Sequence, residues 1–285
     1  MRFPAFLQLV RPANVVTALA DVLAGQAVAG GGAPGLAWLL LATACLYAGG
    51  IVLNDVFDRA IDRVERPERP IPSGQIRWQT AALAGGLLLA AGAVFAALAN
   101  VAALAMALAI ALAVLLYDGW TKHLALVGPA NMGLCRGLNL LLGVAAAPDA
   151  LARSWPLALV PLTYIAAVTA LSRGEVHGGR RGTAVFALIS LSVVLTALLV
   201  LSGSARSWGG LALTGVLGWR VLPPFAAAYR HGDAPRIRHA IRTGVLSLVI
   251  LDAVIGTTYG GPWYGVAILA TGIVAGALAR VFAVT

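Results

Sequence analysis

The sequence predicts an all-α protein with nine or ten transmembrane spans, bundled around a cavity that is accessible from the lipid. Hydrophobic residues make up 60% of the 285 residues and charged residues only 11%, which is far more apolar than a soluble domain needs. Long runs rich in Ala and Leu recur along the chain, and a backbone surrounded by lipid satisfies its own hydrogen bonds as a helix. The sequence lacks the alternating ten-residue patterns of a membrane β-barrel.

Ten stretches are long enough to cross a bilayer, because a span needs about 20 mostly apolar residues. The predicted spans are 13–30, 36–57, 79–99, 101–117, 125–147, 155–173, 183–203, 209–229, 237–259 and 263–283. The eighth is the least regular, since Arg220 and the pair Pro223–Pro224 interrupt it. No soluble segment separates the spans, so we expect a single transmembrane domain over residues 1–285.

Basic residues concentrate in every second loop between the predicted spans. Those loops and the N-terminus carry Arg2, Arg11, Arg59, Arg63, Arg66, Arg69, Arg77, Lys122, Arg173, Arg180, Arg181, Arg230, Arg236, Arg238 and Arg242. The opposite loops carry only Arg153 and Arg206. Because cytoplasmic loops are enriched in Lys and Arg, the charged loops and the N-terminus are predicted to be cytoplasmic. This orientation accounts for the net charge of +9 without a nucleic-acid partner and leaves membrane lipids as the surroundings.

The densest polar cluster follows the second span, where residues 54–74 read NDVFDRAIDRVERPERPIPSG. On a continuous helix Asn54, Asp55, Asp58 and Asp62 project toward one side. Asp55 and Asp58 are about 4.5 Å apart along the axis, so one Mg²⁺ fits between them. Asp62 lies about 10 Å from Asp55, which is too far for the same ion, and is expected to act through water or a second ion.

Carboxylates near the hydrocarbon layer are costly and usually functional. Mg²⁺ prefers hard oxygen ligands and is typically held by one or two carboxylates plus substrate phosphates. Arg66 and Arg69 add planar guanidinium groups, each of which can donate two parallel hydrogen bonds to phosphate oxygens. In the alternative interpretation, Arg59 and Arg63 neutralise the aspartates in a solvated loop without any ligand. The one-sided spacing at a membrane edge favours a polyanion bound through metal ions and arginines.

The pattern NDxxDxxxD followed by RPxRPIPSG resembles the first signature of the UbiA superfamily of intramembrane prenyltransferases. The similarity in layout extends over nearly the whole chain. It implies transfer of a polyprenyl group from a prenyl diphosphate to an acceptor within the membrane, with Mg²⁺ as cofactor. The resemblance also implies metal and diphosphate ligands at Asn54, Asp55, Asp58 and Asp62. Arg66 and Arg69 would lie beside this site.

The loop after the sixth span reads SRGEVHGGRR, where the superfamily usually carries a second aspartate-rich motif. Glu175 is its one carboxylate. We expect Glu175 to hold a second ion through waters, or Arg173, Arg180 and Arg181 to neutralise charge in its place. This run, with the ending FAVT, resembles the EboC-like branch, which need not use a quinone-type acceptor. His177 is a candidate base or phosphate donor, or simply a solvated loop residue.

Polar residues at other positions are candidates for the same cavity. The segment from Tyr117 to Lys122 resembles a family feature in which the lysine reaches the diphosphate; a snorkelling lysine is the alternative. Arg136 lies midway through the fifth span, where an unpaired charge is expensive. We therefore expect Arg136 to pair with Asp21 or to line the cavity. Asp252 is another possible partner.

Asn14, Asn131 and Asn139 are expected to add hydrogen bonds to the cavity, although for each residue alone a hydrogen bond between helices is the slightly favoured explanation. We therefore predict a prenyltransferase with a charged cytoplasmic mouth and an unidentified acceptor. A terpene cyclase that acts on the same substrate is one alternative. A non-catalytic lipid-binding or transport protein is the other.

Overall fold

The computed structural model describes residues 3–32, 34–175 and 178–281, and these fold into α-helices joined by short connections. The helices are α1 (Phe3–Val10), α2 (Pro12–Val28), α3 (Leu36–Phe57), α4 (Arg59–Glu65), α5 (Trp78–Ala99), α6 (Val101–Gly119), α7 (Val127–Val144), α8 (Pro148–Ser154), α9 (Leu159–Ser172), α10 (Arg181–Ser204), α11 (Trp208–His231), α12 (Ala234–Gly260) and α13 (Pro262–Leu278). Short 3₁₀ turns at Thr121–His123 and Trp155–Ala158 precede α7 and α9. The predicted all-α class is confirmed.

Each predicted span corresponds to helix, but fewer segments than predicted meet the requirements for crossing a membrane. Seven described segments are long and apolar enough, or eight if α1 and α2, bent by 45° at Arg11, form one span. The prediction of nine or ten exceeds this number because α2 and α13 have only 17 residues each. Helix α7 has 18 residues and includes Asn131, Arg136 and Asn139. The protein is an integral, multi-pass membrane protein.

The helices close into a ring in which neighbours along the chain are mostly neighbours in space. Helix α3 packs against α5, α6 against α7, α7 against α9, and α13 returns to α2. Helix α12 is the most buried span: 72% of its most apolar stretch lies inside the bundle, compared with 28% for α5 and α6. It contacts α2, α9, α11 and α13, so the bundle is built around it.

Close contact between α2 and α7 depends on two glycines. A Cβ atom at Gly25 would lie under 3.0 Å from the α7 backbone at Leu140, and one at Gly143 would approach the carbonyl of Val22 as closely. Small residues let membrane helices approach backbone to backbone. This approach sets the side chains of α2 and α7 directly against each other below the cavity.

The two ends of the bundle differ in composition. Four exposed tryptophans lie at the starts of α3, α9, α11 and α13 or just before them, at the end away from the basic loops: Trp38, Trp155, Trp208 and Trp263. Two more, Trp78 and Trp120, lie at the end that carries those loops. Tryptophan is enriched where membranes meet water. The basic loops and α4 occupy the other end, where the candidate site opens.

Candidate active site

The helix that carries the first aspartates ends sooner than predicted. Helix α3 ends at Phe57, Asp58 links the two helices, and α4 begins at Arg59. The spacing expected for one continuous helix therefore does not hold across residues 54–62. Asp55 and Asp62 are both buried, at 2% and 4% exposure.

Arg69 brings Asp55 and Asp62 together. Its Nη1 lies 3.3 Å from Asp55 Oδ1 and 2.8 Å from Asp62 Oδ2. Arg11 donates a second, shorter hydrogen bond to Asp55 Oδ1, at 2.6 Å. Asp62 was predicted to lie about 10 Å from Asp55 along one helix, too far to share one ion. Because the chain turns at Asp58, both carboxylates instead reach one nitrogen atom of Arg69.

Asp58 faces a different cation. Lys122 Nζ donates to its Oδ1 at 2.6 Å and lies 5.9 Å from the centre of the Phe57 ring. Asn54, predicted as a metal ligand, instead donates its side-chain N–H to Asp118 Oδ1 at 2.8 Å. Its side-chain oxygen remains the atom with which it would contact an ion. The aspartates thus divide between an Arg11–Arg69 group and a Lys122 group.

The second charged loop approaches the first across the opening. Arg66 Nη2 lies 3.6 Å from Glu175 Oε2, so the two motifs meet as an ion pair. Arg173 donates to the backbone carbonyls of Lys122 and Leu124, at 2.8 and 2.7 Å. Arg173 therefore fixes the connection before α7 and holds Lys122 in place. His177 lies outside the described residues.

A cavity of about 520 Å³ lies between these groups. Its charged lining residues include Arg11, Asp58, Asp62, Glu65, Arg66, Arg69, Lys122, Arg136, Arg173 and Glu175. Helices α9 and α12 close its far wall with apolar residues such as Ile165 and Leu248. We call this space the mouth cavity. Acidic and basic side chains alternate around it, as a metal-bound polyanion requires.

A second cavity of about 210 Å³ continues from the mouth toward the middle of the bundle. Its lining is mostly apolar, including Leu46, Ile51, Ile110, Val114 and Met132. We call it the inner cavity. The residues shared by both cavities are Arg11, Asn14, Tyr47, Asn54, Tyr117, Met132 and Arg136. A molecule with an anionic head and an apolar tail would fit this polar-to-apolar gradient.

Below the inner cavity, α2 and α7 enclose a buried polar network. Arg136 Nε lies 3.1 Å from Asp21 Oδ2, as predicted, and its Nη2 donates to the Thr17 carbonyl at 3.1 Å. Asn139 also donates to Asp21, at 2.8 Å. Asp252, with 0% exposure, brings a second carboxyl group against Asp21. We call this set the buried network.

The donor set fits Mg²⁺ only with help from a substrate. Within the described residues, no three acidic, histidine or cysteine side chains gather as a ready-made metal site. Asp55, Asp58 and Asp62 nevertheless present hard carboxylate oxygens to Arg11, Arg69 or Lys122. Mg²⁺ usually takes only one or two carboxylates and completes its shell with waters and phosphate oxygens. The residues therefore fit an ion that arrives with a diphosphate.

Sequence reasoning missed three participants. Arg11 was assigned only to topology, yet it holds Asp55 from 44 positions away. Asp118 binds Asn54, and Tyr47 lies under the Arg136 guanidinium at 5.2 Å. Arg11 precedes Pro12, and a residue before proline is displaced from helical geometry, so the sequence did carry a signal for a bend that aims this side chain inward.

The comparisons with known proteins agree with this architecture. The profile of the UbiA prenyltransferase family matches residues 18–231. A digeranylgeranylglyceryl phosphate synthase of Methanoregula boonei is 31% identical over 236 residues, which cover 78% of this chain and 84% of that protein. The chain belongs to the UbiA prenyltransferase family, which confirms the resemblance drawn from its first motif. The EboC-like assignment stays a prediction.

Other relatives match over shorter stretches. A protein of the same name from Thermococcus kodakarensis is 39% identical over 32% of this chain and 36% of its own length. The one from Methanothrix thermoacetophila is 32% identical over 59% of this chain and 61% of its own length. The matches thus span about a third to three fifths of these two relatives.

Solved structures show the same fold. A structure concerned with digeranylgeranylglyceryl phosphate synthase in membranes is 20% identical, with a TM-score of 0.68 over 91% of this chain and 99% of that one. A UbiA homologue from Archaeoglobus fulgidus, bound to GPP and Mg²⁺, is 15% identical, with a TM-score of 0.58 over 93% of this chain and 99% of that one. The chain therefore has the UbiA fold.

Proposed function

We propose that the protein transfers a polyprenyl group from a prenyl diphosphate to an acceptor within the membrane, with Mg²⁺ as cofactor and pyrophosphate as the second product. One observation carries this proposal: a mouth cavity of paired carboxylates and cations opens directly into an apolar inner cavity. The head and tail of a prenyl diphosphate have these two characters in the same order. Membership of the UbiA prenyltransferase family supports it.

The cations of the mouth cavity bind the diphosphate. Arg66, Arg69 and Lys122 line the cavity and each already holds a carboxylate. When those carboxylates turn to an ion, the freed guanidinium and ammonium groups donate to phosphate oxygens, so that the site stays close to neutral. Bidentate arginine suits phosphate particularly well. Arg11 and Arg173 extend the same positive rim.

Asp55, Asp58 and Asp62, with Glu175 across the cavity, would hold Mg²⁺, which stabilises the leaving diphosphate as a Lewis acid. Arg69 and Lys122 add positive charge where negative charge develops as the C–O bond breaks. Tyr117 lines the junction of the two cavities, and its aromatic ring stabilises the allylic cation left on the prenyl group. The apolar inner cavity keeps water from that cation until the nucleophilic atom of the acceptor bonds to it. The proton that this atom loses passes to the released pyrophosphate.

The acceptor is proposed to be a lipid alcohol that carries a phosphate group. Relatives are named digeranylgeranylglyceryl phosphate synthase, and a product of that name results when a glyceryl phosphate that already bears one prenyl chain receives another. Asn14 and Arg136 line both cavities and are the residues we propose to orient its hydroxyl and phosphate.

Residues 1–285 are proposed to act as a single prenyltransferase-like domain, with the mouth and the N-terminus on the cytoplasmic side. The clustering of arginines at the mouth end supports this orientation. Membrane lipids then surround the bundle, and the net positive charge serves orientation and diphosphate binding rather than nucleic acid.

The test combines the purified full-length protein in vesicles with Mg²⁺, prenyl diphosphates of several lengths, and either a prenylated glyceryl phosphate or a membrane extract. We expect pyrophosphate release that depends on Mg²⁺, and a product whose mass is the acceptor plus one prenyl group. Arg206→Gln, which changes an exposed arginine at the opposite end, should leave both unchanged.

Other outcomes identify the rivals. Pyrophosphate release with a hydrocarbon product that lacks any acceptor mass indicates a terpene cyclase. Retention of the prenyl diphosphate without its consumption indicates a lipid-binding protein, and movement of solute across the vesicle without pyrophosphate indicates a transporter. Any of these three results overturns the proposed transfer reaction.

A further inference from the structure

A third cavity, of about 290 Å³, lies on the opposite face of α4 from the mouth and shares no lining residue with it. Arg59, Arg63 and Arg77 converge on this cavity, together with Trp78 and Gln79. No acidic side chain of the described chain lines it. Three positive charges without a counter-charge are unfavourable in one small space, and an anion relieves that repulsion.

The three arginines are available to an external ligand. Arg63 and Arg77 are exposed, and neither side chain forms an ion pair or hydrogen bond with the described residues. Arg59 is held in position, because its guanidinium lies 5.0 Å from the centre of the Trp78 ring and donates to the Val56 carbonyl at 3.0 Å. Each of the three guanidinium groups keeps N–H donors that contact no carboxylate among the described residues.

The start of α5 adds an independent attraction for an anion. The helix has 22 residues and begins at Trp78, and its N-cap residue, Arg77, makes no side-chain capping hydrogen bond. The first backbone N–H groups of a helix lack partners within the helix and carry a partial positive charge. Anions therefore bind at such positions, and the three arginines surround this one.

The surroundings of this cavity identify the anion as part of a lipid. Trp78, which lines this cavity, is 43% exposed and is the first residue of the apolar span α5, so the cavity lies at the level where that span leaves the membrane. Tryptophan favours the level of the head groups. We propose that this arginine cavity binds the phosphate of an anionic phospholipid head group. Free phosphate has the same chemistry, and the experiment below separates the two sources.

Occupancy of the arginine cavity bears on the mouth through α4. This seven-residue helix carries Arg59 and Arg63 on the face of the arginine cavity and Asp62 on the face of the mouth. An anion that draws Arg59 and Arg63 together fixes the helix, and with it the carboxylate that pairs with Arg69. Anionic lipid thus becomes a positioning ligand for the aspartate motif.

The test measures lipid binding directly and does not depend on turnover. The full-length protein in non-ionic detergent is titrated with phosphatidylglycerol, and native mass spectrometry counts the lipids that each molecule retains. The variant is Arg63→Gln/Arg77→Gln. The control, Arg181→Gln/Arg230→Gln, removes the same charge from two exposed arginines outside the cavity. Melting temperatures of both variants check that they remain folded.

We expect about thirtyfold weaker retention of the first phosphatidylglycerol in the variant and no change in the control, given roughly 1 kcal/mol for each of the two arginines near an anionic surface. Equal losses in the two variants would mean diffuse surface attraction and would overturn the proposal. In a second arm, inorganic phosphate and glycerol phosphate compete with the lipid. Displacement only in large excess supports the lipid head group, whereas equal affinity assigns the cavity to a free anion and overturns the lipid assignment.

Discussion

The mouth cavity and the buried network use the same residue types with opposite access to water. In the mouth, the ion pair of Arg66 with Glu175 leaves side-chain exposures of 30% and 14%, and that of Lys122 with Asp58 leaves 10% and 23%. In the buried network, Arg136 and Asp21 are 2% and 0% exposed. Hydrated pairs are individually weak and can exchange partners, whereas a buried pair cannot lose one member without stranding the other.

This contrast predicts different effects for substitutions in the mouth and in the buried network. Asp58, the more exposed carboxylate of the mouth, can release Lys122 and accept an ion at little cost. The pairs of Arg69 with Asp55 and Asp62 are more enclosed, with side-chain exposures of 12%, 3% and 5%. Asp21 cannot release Arg136 at little cost, because both side chains are almost fully buried and the loss of one member strands the other. We therefore expect substitutions in the mouth to affect turnover first, and substitution of Asp21, which lines neither cavity, to affect folding first.

The largest expected effect is on turnover at Asp58. Asp58→Ala should lower pyrophosphate release about a thousandfold, as loss of one electrostatic stabiliser of a transition state does, and should change stability by less than about 1 kcal/mol. The measurement is initial rate beside a melting curve. Glu68→Ala, an exposed carboxylate in the same segment, is the control. A rate within tenfold of the parent for Asp58→Ala would remove the proposed ion site.

The buried network should show the reverse pattern. Asp21→Asn should destabilise the folded protein by about 3 kcal/mol, the low end for a broken buried pair, because Asp252 can partly replace the lost charge. The molecules that remain folded should retain most of their activity. Reversible unfolding in detergent measures the first and turnover per folded molecule the second. Unchanged stability would contradict this prediction and would show that Asp252 alone can balance the charge of Arg136.

Arg69 sharpens the contrast within the mouth. Arg69→Lys keeps the charge but loses the planar fork that reaches both Asp55 and Asp62. We expect KM for the prenyl diphosphate to rise about tenfold, the value of roughly one charge-assisted hydrogen bond. Steady-state kinetics provide the measurement, with Arg153→Lys, an exposed arginine at the opposite end, as the control. An unaltered KM would exclude Arg69 from diphosphate binding.

Of the substitutions proposed here, the one at Glu175 should change activity and stability least. Its pair with Arg66 is long, at 3.6 Å, and partly exposed, so Glu175→Gln should change stability by less than about 1 kcal/mol. We expect the Mg²⁺ concentration for half-maximal rate to rise about threefold, since an ion held through waters loses only part of its binding. Loss of activity as large as that expected for Asp58→Ala would instead make Glu175 a direct ligand.

Local patterns predicted the features that depend on neighbours in sequence. Apolar runs gave the helices, since twenty apolar residues in lipid leave the backbone no other arrangement. The cost of an unpaired charge gave the partnership of Arg136 with Asp21. The number of spans was less predictable, because α7 carries polar residues that face its neighbours and α2 and α13 are short.

Features that depend on packing between distant elements were not predictable. The pairing of Arg11 with Asp55 requires the bend between α1 and α2 and the position of α1 against α3. The meeting of Asp55 and Asp62 at Arg69 requires the interruption at Asp58. Arg173 was expected to offset charge, yet it binds backbone carbonyls, since only the folded loop shows which acceptors lie within reach.

The bend at Arg11 has a consequence for attempts to stabilise the protein. Arg11 has φ 49°, a left-handed conformation that costs most side chains roughly 1–2 kcal/mol and that asparagine tolerates. Asparagine at this position would relieve the strain but would leave Asp55 without its 2.6 Å partner. Selection for thermal stability and selection for catalytic rate should therefore favour different amino acids at position 11. Variants selected for stability alone would lose activity.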